Sequence, residues 1–196
     1  RIWETGQTTA KAVLRGHLSA VSVLALNSGG SMLASGSLDG TVIFWDINEK
    51  KLLKSSKVIG KGSVKSLVFH PNENILAIGG EDGSLQFRDL TEMNLQFKLP
   101  HHKKAVNSLD FNFEGDLLVS SSEDGKLIVW EWKLRKQQFE IEINDRITDL
   151  STHPLRNEIA LVTAGGSLEI WSLSTGSQLH TINKSEHALT SIEYDS

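Results

Sequence analysis

The sequence predicts an all-β fold of stacked four-stranded antiparallel sheets, and three observations lead there. One stretch, Ser37-Leu38-Asp39-Gly40-Thr41-Val42-Ile43-Phe44-Trp45-Asp46, runs an Asp-Gly turn into an apolar segment ending in Trp-Asp, and it recurs in altered form at 81–89, 123–131 and 164–172. Its glycines, Gly40, Gly83, Gly125 and Gly166, follow at intervals of 43, 42 and 41 residues, a period that marks a repeat architecture. Glycine recurs too often for helix, and no segment holds a 3.6-residue apolar period over three turns.

Each unit reads as four short strands. First strands are Val21 to Leu26, Val64 to Phe69, Val106 to Phe111, Ile147 to Thr152 and Leu189 to Tyr194. Second strands are Met32 to Ser35, Ile75 to Ile78, Leu117 to Ser120 and Ile159 to Val162. Between first and second strands lie turn-forming runs such as Asn27-Ser28-Gly29-Gly30 and His70-Pro71-Asn72-Glu73. Third strands carry the Trp and are nearly continuous in apolar character, as in Lys126-Leu127-Ile128-Val129-Trp130, which predicts cover on both faces. Fourth strands are Val13 to Arg15, Leu52 to Lys54, Leu95 to Leu99, Phe139 to Ile143 and Leu179 to Ile182. Phe139, Ile141 and Ile143 alternate with Gln138, Glu140 and Glu142, so one face is wet and the fourth strand belongs at the rim.

Composition narrows the function. The net charge is −4 with both signs interspersed, so no global field draws in nucleic acid or an anionic membrane. Cysteine is absent, which removes disulfides and thiolate chemistry and suits an intracellular, cytoplasmic or nuclear, setting. No apolar run reaches the length of a membrane span, and Arg1-Ile2-Trp3 has no signal-peptide character. Asn183-Lys184-Ser185 is read as a chance sequon.

The Gly-His, Asp-Gly and Trp-Asp positions make the chain similar to the WD40-repeat β-propeller family over nearly its whole length. That resemblance implies about four complete blades, at 17–59, 60–101, 102–142 and 143–184, with partial repeats at 1–16 and 185–196. It also implies a stretch of a longer propeller of about seven blades. Closure by a partner chain stays open as an alternative, as does a five-blade ring joining Leu189 to Tyr194 with Arg1-Ile2-Trp3. In this family a His, a Ser or Thr, the turn Asp and the Trp form a hydrogen-bonded tetrad, matched here by His17, Ser35, Asp39 and Trp45 and by His102, Ser120, Asp124 and Trp130. The second unit departs, with Gly60, Ile78 and Arg88 beside Asp82. The fourth keeps only Trp171, with Gly165 at the Asp position, leaving the register of both to apolar packing.

Chemistry-bearing patterns fail on inspection. Gly60-Lys61-Gly62-Ser63 lacks the earlier glycine and the following helix of a phosphate loop. No His-Glu-x-x-His spacing and no nucleophile elbow occurs, so no catalytic residue, metal, cofactor or small-molecule substrate is expected. His70 and His153 precede prolines in equivalent turns and read as structural. The basic runs His101-His102-Lys103-Lys104 and Lys133-Leu134-Arg135-Lys136 lack interleaved aromatics, which disfavours RNA. The resemblance instead implies contacts to proteins or peptides, with Ser22, Leu38, Lys65, Glu81, Asn107, Glu123, Arg146 and Thr148 as the candidate protein-binding residues. The implied function is a non-catalytic scaffold within a larger complex, and the alternative is a component of an RNA-containing assembly such as a ribosome-biogenesis particle.

Overall fold

The computed structural model describes residues 1–100, 102–143, 145–182 and 187–195. His101 and the sequon Asn183-Lys184-Ser185 lie outside the described residues. Among the described residues sixteen strands form four antiparallel sheets, each taking consecutive strands in order. The first holds β1 (Val21–Leu26), β2 (Met32–Ser37), β3 (Thr41–Asp46) and β4 (Lys51–Lys57), and the second β5 (Val64–Phe69), β6 (Ile75–Gly80), β7 (Leu85–Asp89) and β8 (Leu95–Leu99). The third holds β9 (Val106–Phe111), β10 (Leu117–Ser122), β11 (Lys126–Glu131) and β12 (Lys136–Glu142). The fourth holds β13 (Ile147–Thr152), β14 (Glu158–Thr163), β15 (Leu168–Ser172) and β16 (Gln178–Ile182). These are the blades of an all-β propeller segment.

First strands line the inner side, where β1 packs on β5, β5 on β9 and β9 on β13. Successive sheets bury aliphatic faces against each other. Val42, Phe44, Leu76 and Ile78 close the junction of blades one and two, while Phe87, Val106, Leu118 and Trp130 contribute to that of blades two and three. Sheets approach closely because β6 carries Gly79, where a Cβ would lie 2.8 Å from Val106 Cγ1 and 2.2 Å from Ser66 Oγ. The four turn glycines hold φ between +76° and +82°, a left-handed conformation that suits glycine.

Three expectations need amendment. The reading of third strands as covered on both faces holds for β3 and β11 but not for β15, whose residues are all half-buried. Likewise β1 leaves Val21, Leu24 and Leu26 at 50%, 60% and 55% exposure, since among the described residues no sheet covers its second face. Strands expected at Val13 to Arg15 and Leu189 to Tyr194 form no ladder: residues 1–16 hold a single bridge between Ile2 and Ala12, and 189–194 are not strand. Two-stranded pairings are marginal without a third strand, and neither segment has a full set of in-plane neighbours. Among the described residues no helix is long and apolar enough to cross a membrane.

Candidate functional site

All four first strands carry a β-bulge at their second residue. The ladders skip from Val21 to Val23, Val64 to Ser66, Val106 to Ser108 and Ile147 to Asp149, leaving Ser22, Lys65, Asn107 and Thr148 as the extra residues. A bulge re-aims its extra side chain, and here Lys65, Asn107 and Thr148 come to line one cleft. Three of the four bulge residues tie their blade to the next segment of chain. Ser22 Oγ donates to Val64 O at 2.6 Å, Asn107 Nδ2 to Ile147 O at 2.9 Å and Thr148 Oγ1 to Leu189 O at 2.5 Å. In blade two the stitch shifts by one residue, from Ser66 Oγ to Val106 O at 3.0 Å, and Lys65 keeps its ammonium out of that bond.

Five of the eight candidate residues converge. Lys65, Asn107, Glu123, Arg146 and Thr148 line one polar cleft of about 270 Å³ together with Thr190. Ser22 and Leu38 lie outside it, and so does Glu81, whose carboxylate accepts the Ser63 N–H at 2.8 Å and the Ser63 hydroxyl at 2.7 Å. These bonds, helped by nearby Lys65, hold the Glu81 carboxyl below its ordinary range. Thr190 escaped the sequence reading, although it occupies the second place of the fifth first-strand segment, equivalent to Thr148. That equivalence was the available signal.

Below the cleft, polar side chains fix each blade's loops. In blade three Ser120 Oγ lies 2.8 Å from His102 Nε2 and accepts the Trp130 indole N–H at 2.9 Å, while His102 Nδ1 lies 3.4 Å from Asp124 Oδ2. The Trp130 N–H on Ser120 Oγ turns the Ser120 hydroxyl toward His102 Nε2, which puts the imidazole proton on Nδ1, facing Asp124 without a formed hydrogen bond. Blade one inserts a hydroxyl: Asp39 Oδ1 accepts from Thr41 Oγ1 at 2.5 Å, and Thr41 Oγ1 lies 2.9 Å from His17 Nδ1. Ser35 Oγ again joins His17 Nε2, at 2.7 Å, to Trp45 Nε1, at 2.8 Å. Lys126 stands where blade one has Thr41 and offers no such bridge.

Blades two and four depart as expected at the tetrad positions, but apolar packing is not all that holds their loops. A carboxylate still clasps the loop before the first strand to the turn between the second and third. In blades one and three the turn acid accepts from the loop, Asp39 from Leu18 N at 3.3 Å and Asp124 from Lys103 N at 2.9 Å. Blade two uses Glu81 on Ser63, and blade four reverses the direction, with Asp145 Oδ2 accepting Gly165 N at 2.6 Å. Arg88, at the Trp position, is partly buried: its guanidinium donates to Gln86 Oε1 at 3.4 Å, and Gln86 Nε2 donates to Val58 O at 2.7 Å.

The turn histidines are structural by geometry. His70 Nδ1 accepts from Asn72 N at 3.0 Å and Glu73 N at 2.8 Å, which leaves Nε2 to donate to Gly115 O at 2.7 Å. Burial pushes the imidazoles of His17, His70 and His102 below their ordinary value of about 6.5, outweighing Asp39, the Gly115 carbonyl and Asp124 respectively. The folded chain then binds these protons less readily than the unfolded chain. Their contribution to stability is present above about pH 6.5 and is expected to be lost as pH falls from there toward the depressed folded values. Urea midpoints measured between about pH 7 and 5 check this, and a flat profile would show that the three imidazoles do not resist protonation.

Among the described residues no group of three or more His, Cys, Asp or Glu side chains is placed to hold a metal ion. Residues 8–46, 53–89 and 93–131 match the family described as WD domain, G-beta repeat. Among relatives, the F-box-like/WD repeat-containing protein TBL1X of Homo sapiens is 32% identical over 65% of this chain and 24% of its own length. Small ribosomal subunit protein RACK1y of Oryza sativa subsp. japonica is 30% identical over 67% of this chain and 40% of its own length. Cilia- and flagella-associated protein 52 of Chlamydomonas reinhardtii is 26% identical over 87% of this chain and 28% of its own length. The chain thus spans less than half of each of these relatives. Its four-stranded sheets, its Asp-Gly turns and a family match covering more than half its residues establish that this chain belongs to the WD40 repeat family.

Proposed function

We propose that this chain is a non-catalytic scaffold that docks protein or peptide segments in the cleft between Lys65 and Arg146 and helps hold a larger assembly together. One observation carries the reading: bulges on three consecutive first strands bring Lys65, Asn107 and Thr148 to one cleft with Glu123 and Arg146. A volume of about 270 Å³ falls just below the roughly 300–1,000 Å³ of small-molecule sites, so it suits one or two side chains of a partner. No metal, cofactor or small substrate enters this reading, and the cysteine-free chain fits an intracellular place, cytoplasmic or nuclear.

Affinity purification from cells tests it, comparing the protein with its Lys65→Glu, Arg146→Glu double variant and with Glu49→Lys on an exposed turn as control. Loss of co-purifying proteins from the double variant alone is expected. An unchanged set would move the docking surface elsewhere. The second reading, a component of an RNA-containing assembly, draws on RACK1y being named a small ribosomal subunit protein. RNA that stays with the purified protein at low salt and leaves as salt rises would favour it.

A further inference from the structure

Three charged side chains share the cleft without pairing. Lys65, Glu123 and Arg146 line it together, yet no ion pair within 4.0 Å joins any two of them among the described residues. Elsewhere the surface does pair its charges, as Lys126 does with Glu140 and Lys133 with Glu73. The cations stand on opposite walls, Lys65 from β5 and Arg146 just before β13, while Glu123 comes from the blade between them. The Asn107 amide and the Thr148 hydroxyl, in contrast, already serve the backbone stitches. What the cleft offers a ligand is therefore two cationic donors, one carboxylate acceptor and the Thr190 hydroxyl.

We propose that this cleft recognises a carboxylate on a partner segment, seated between Lys65 and Arg146, with Glu123 accepting a hydrogen bond from a lysine, arginine or backbone N–H next to it. The inference rests on the docking function above and specifies its chemistry. Two cations facing one anion reward a singly charged carboxylate with two charge-assisted hydrogen bonds. Glu123 opposes a doubly charged phosphate or a polyanion in the same space and turns the recognised element into a mixed-charge one. Glu81 strengthens the selection, because its carboxylate is held on Ser63 beside Lys65 and keeps the local field from becoming strongly positive. An acidic side chain supplies that carboxylate, since the donor that Glu123 accepts from sits beside it in a mixed-charge segment.

Fluorescence anisotropy with the purified chain separates the outcomes. The probes are a capped peptide of alternating Glu and Lys, its Gln and Lys counterpart, a neutral Gly and Ser peptide with a free carboxyl end, and an oligouridylate. The Glu and Lys peptide is expected to bind at least tenfold more tightly than its Gln counterpart and the oligouridylate, and Lys65→Gln or Arg146→Gln to cost about tenfold or more. The free-ended peptide is expected to bind at least tenfold more weakly than the Glu and Lys peptide, and its binding at equal or greater strength would overturn the assignment to a side-chain carboxylate. Glu123→Lys is expected to reverse the preference toward the oligouridylate. Equal binding of the Glu and Gln peptides would overturn the proposal. If the cellular partners are nevertheless lost from the double variant, the docking function stands and only its carboxylate chemistry falls.

Discussion

Trp132→Ala is expected to cost about 3–5 kcal/mol of unfolding free energy, the range for emptying a large aromatic site. Trp132 opens a short 3₁₀ turn, Trp132–Leu134, found only in blade three among the described residues, and it is buried at 3% exposure. Its ring stacks on Phe87 at 5.5 Å and 6° and meets Phe111 edge-on at 5.9 Å, which ties blade two to blade three. The indole N–H donates to Gly115 O at 2.8 Å, the carbonyl that also takes the His70 bond. Removing the indole thus empties the centre of the junction and leaves Phe87 and Phe97 stacked against a void. Trp132→Phe keeps most of the ring and loses the hydrogen bond, for an expected cost of about 1 kcal/mol or somewhat more. Chemical denaturation of both variants checks the pair, and an alanine variant within about 1 kcal/mol of the parent would remove Trp132 from this role.

Asp124→Ala is expected to cost about 2–3 kcal/mol, since two backbone N–H donors lose their acceptor together and the His102 imidazole loses the carboxylate it faces. The Asp124 carboxylate accepts Lys103 N at 2.9 Å and Lys126 N at 3.1 Å and faces His102 Nδ1 at 3.4 Å, with its side chain only 6% exposed. Burial alone would raise its pKa, but the Lys103 bond and its companions hold it below the ordinary carboxylate value. The charge is therefore present at neutral pH and held by the two N–H groups. Asp82→Ala, at the matching turn of blade two, is the control. Asp82 is exposed and accepts Ser84 N at 3.1 Å, while Glu81 performs the clasp on Ser63, so its loss should cost about 0.5 kcal/mol or less. Equal melting temperatures for the two variants would refute the distinction between a closed tetrad and an isolated turn acid.

The bounds of β1, β5, β9 and β13 follow from the sequence as read, because apolar character stops at turn residues such as Asn27 and His70. Rim strands were legible from alternation, as in Phe139 to Ile143. Trp132 was not, because an aromatic just past a strand end carries no periodic signal of the face it takes. Nor was the exchange of roles between Asp82 and Glu81, or between Gly165 and Asp145. Those pairs join loops 18 to 20 residues apart, and only their closeness in space tells which carboxylate reaches which N–H.

The repeat period and the turn chemistry by themselves determined the four-stranded units, their strand order and the inner-to-rim polarity, because these depend on local backbone preferences and on which face of a strand is apolar. Only the stacking of finished sheets decided that bulge residues four and eight strands apart share a cleft, that two of those three serve as stitches, and that among the described residues no ion pair joins any two of Lys65, Glu123 and Arg146. Hydrogen bonds and charges act over a few ångströms, and that proximity exists only once the blades have packed.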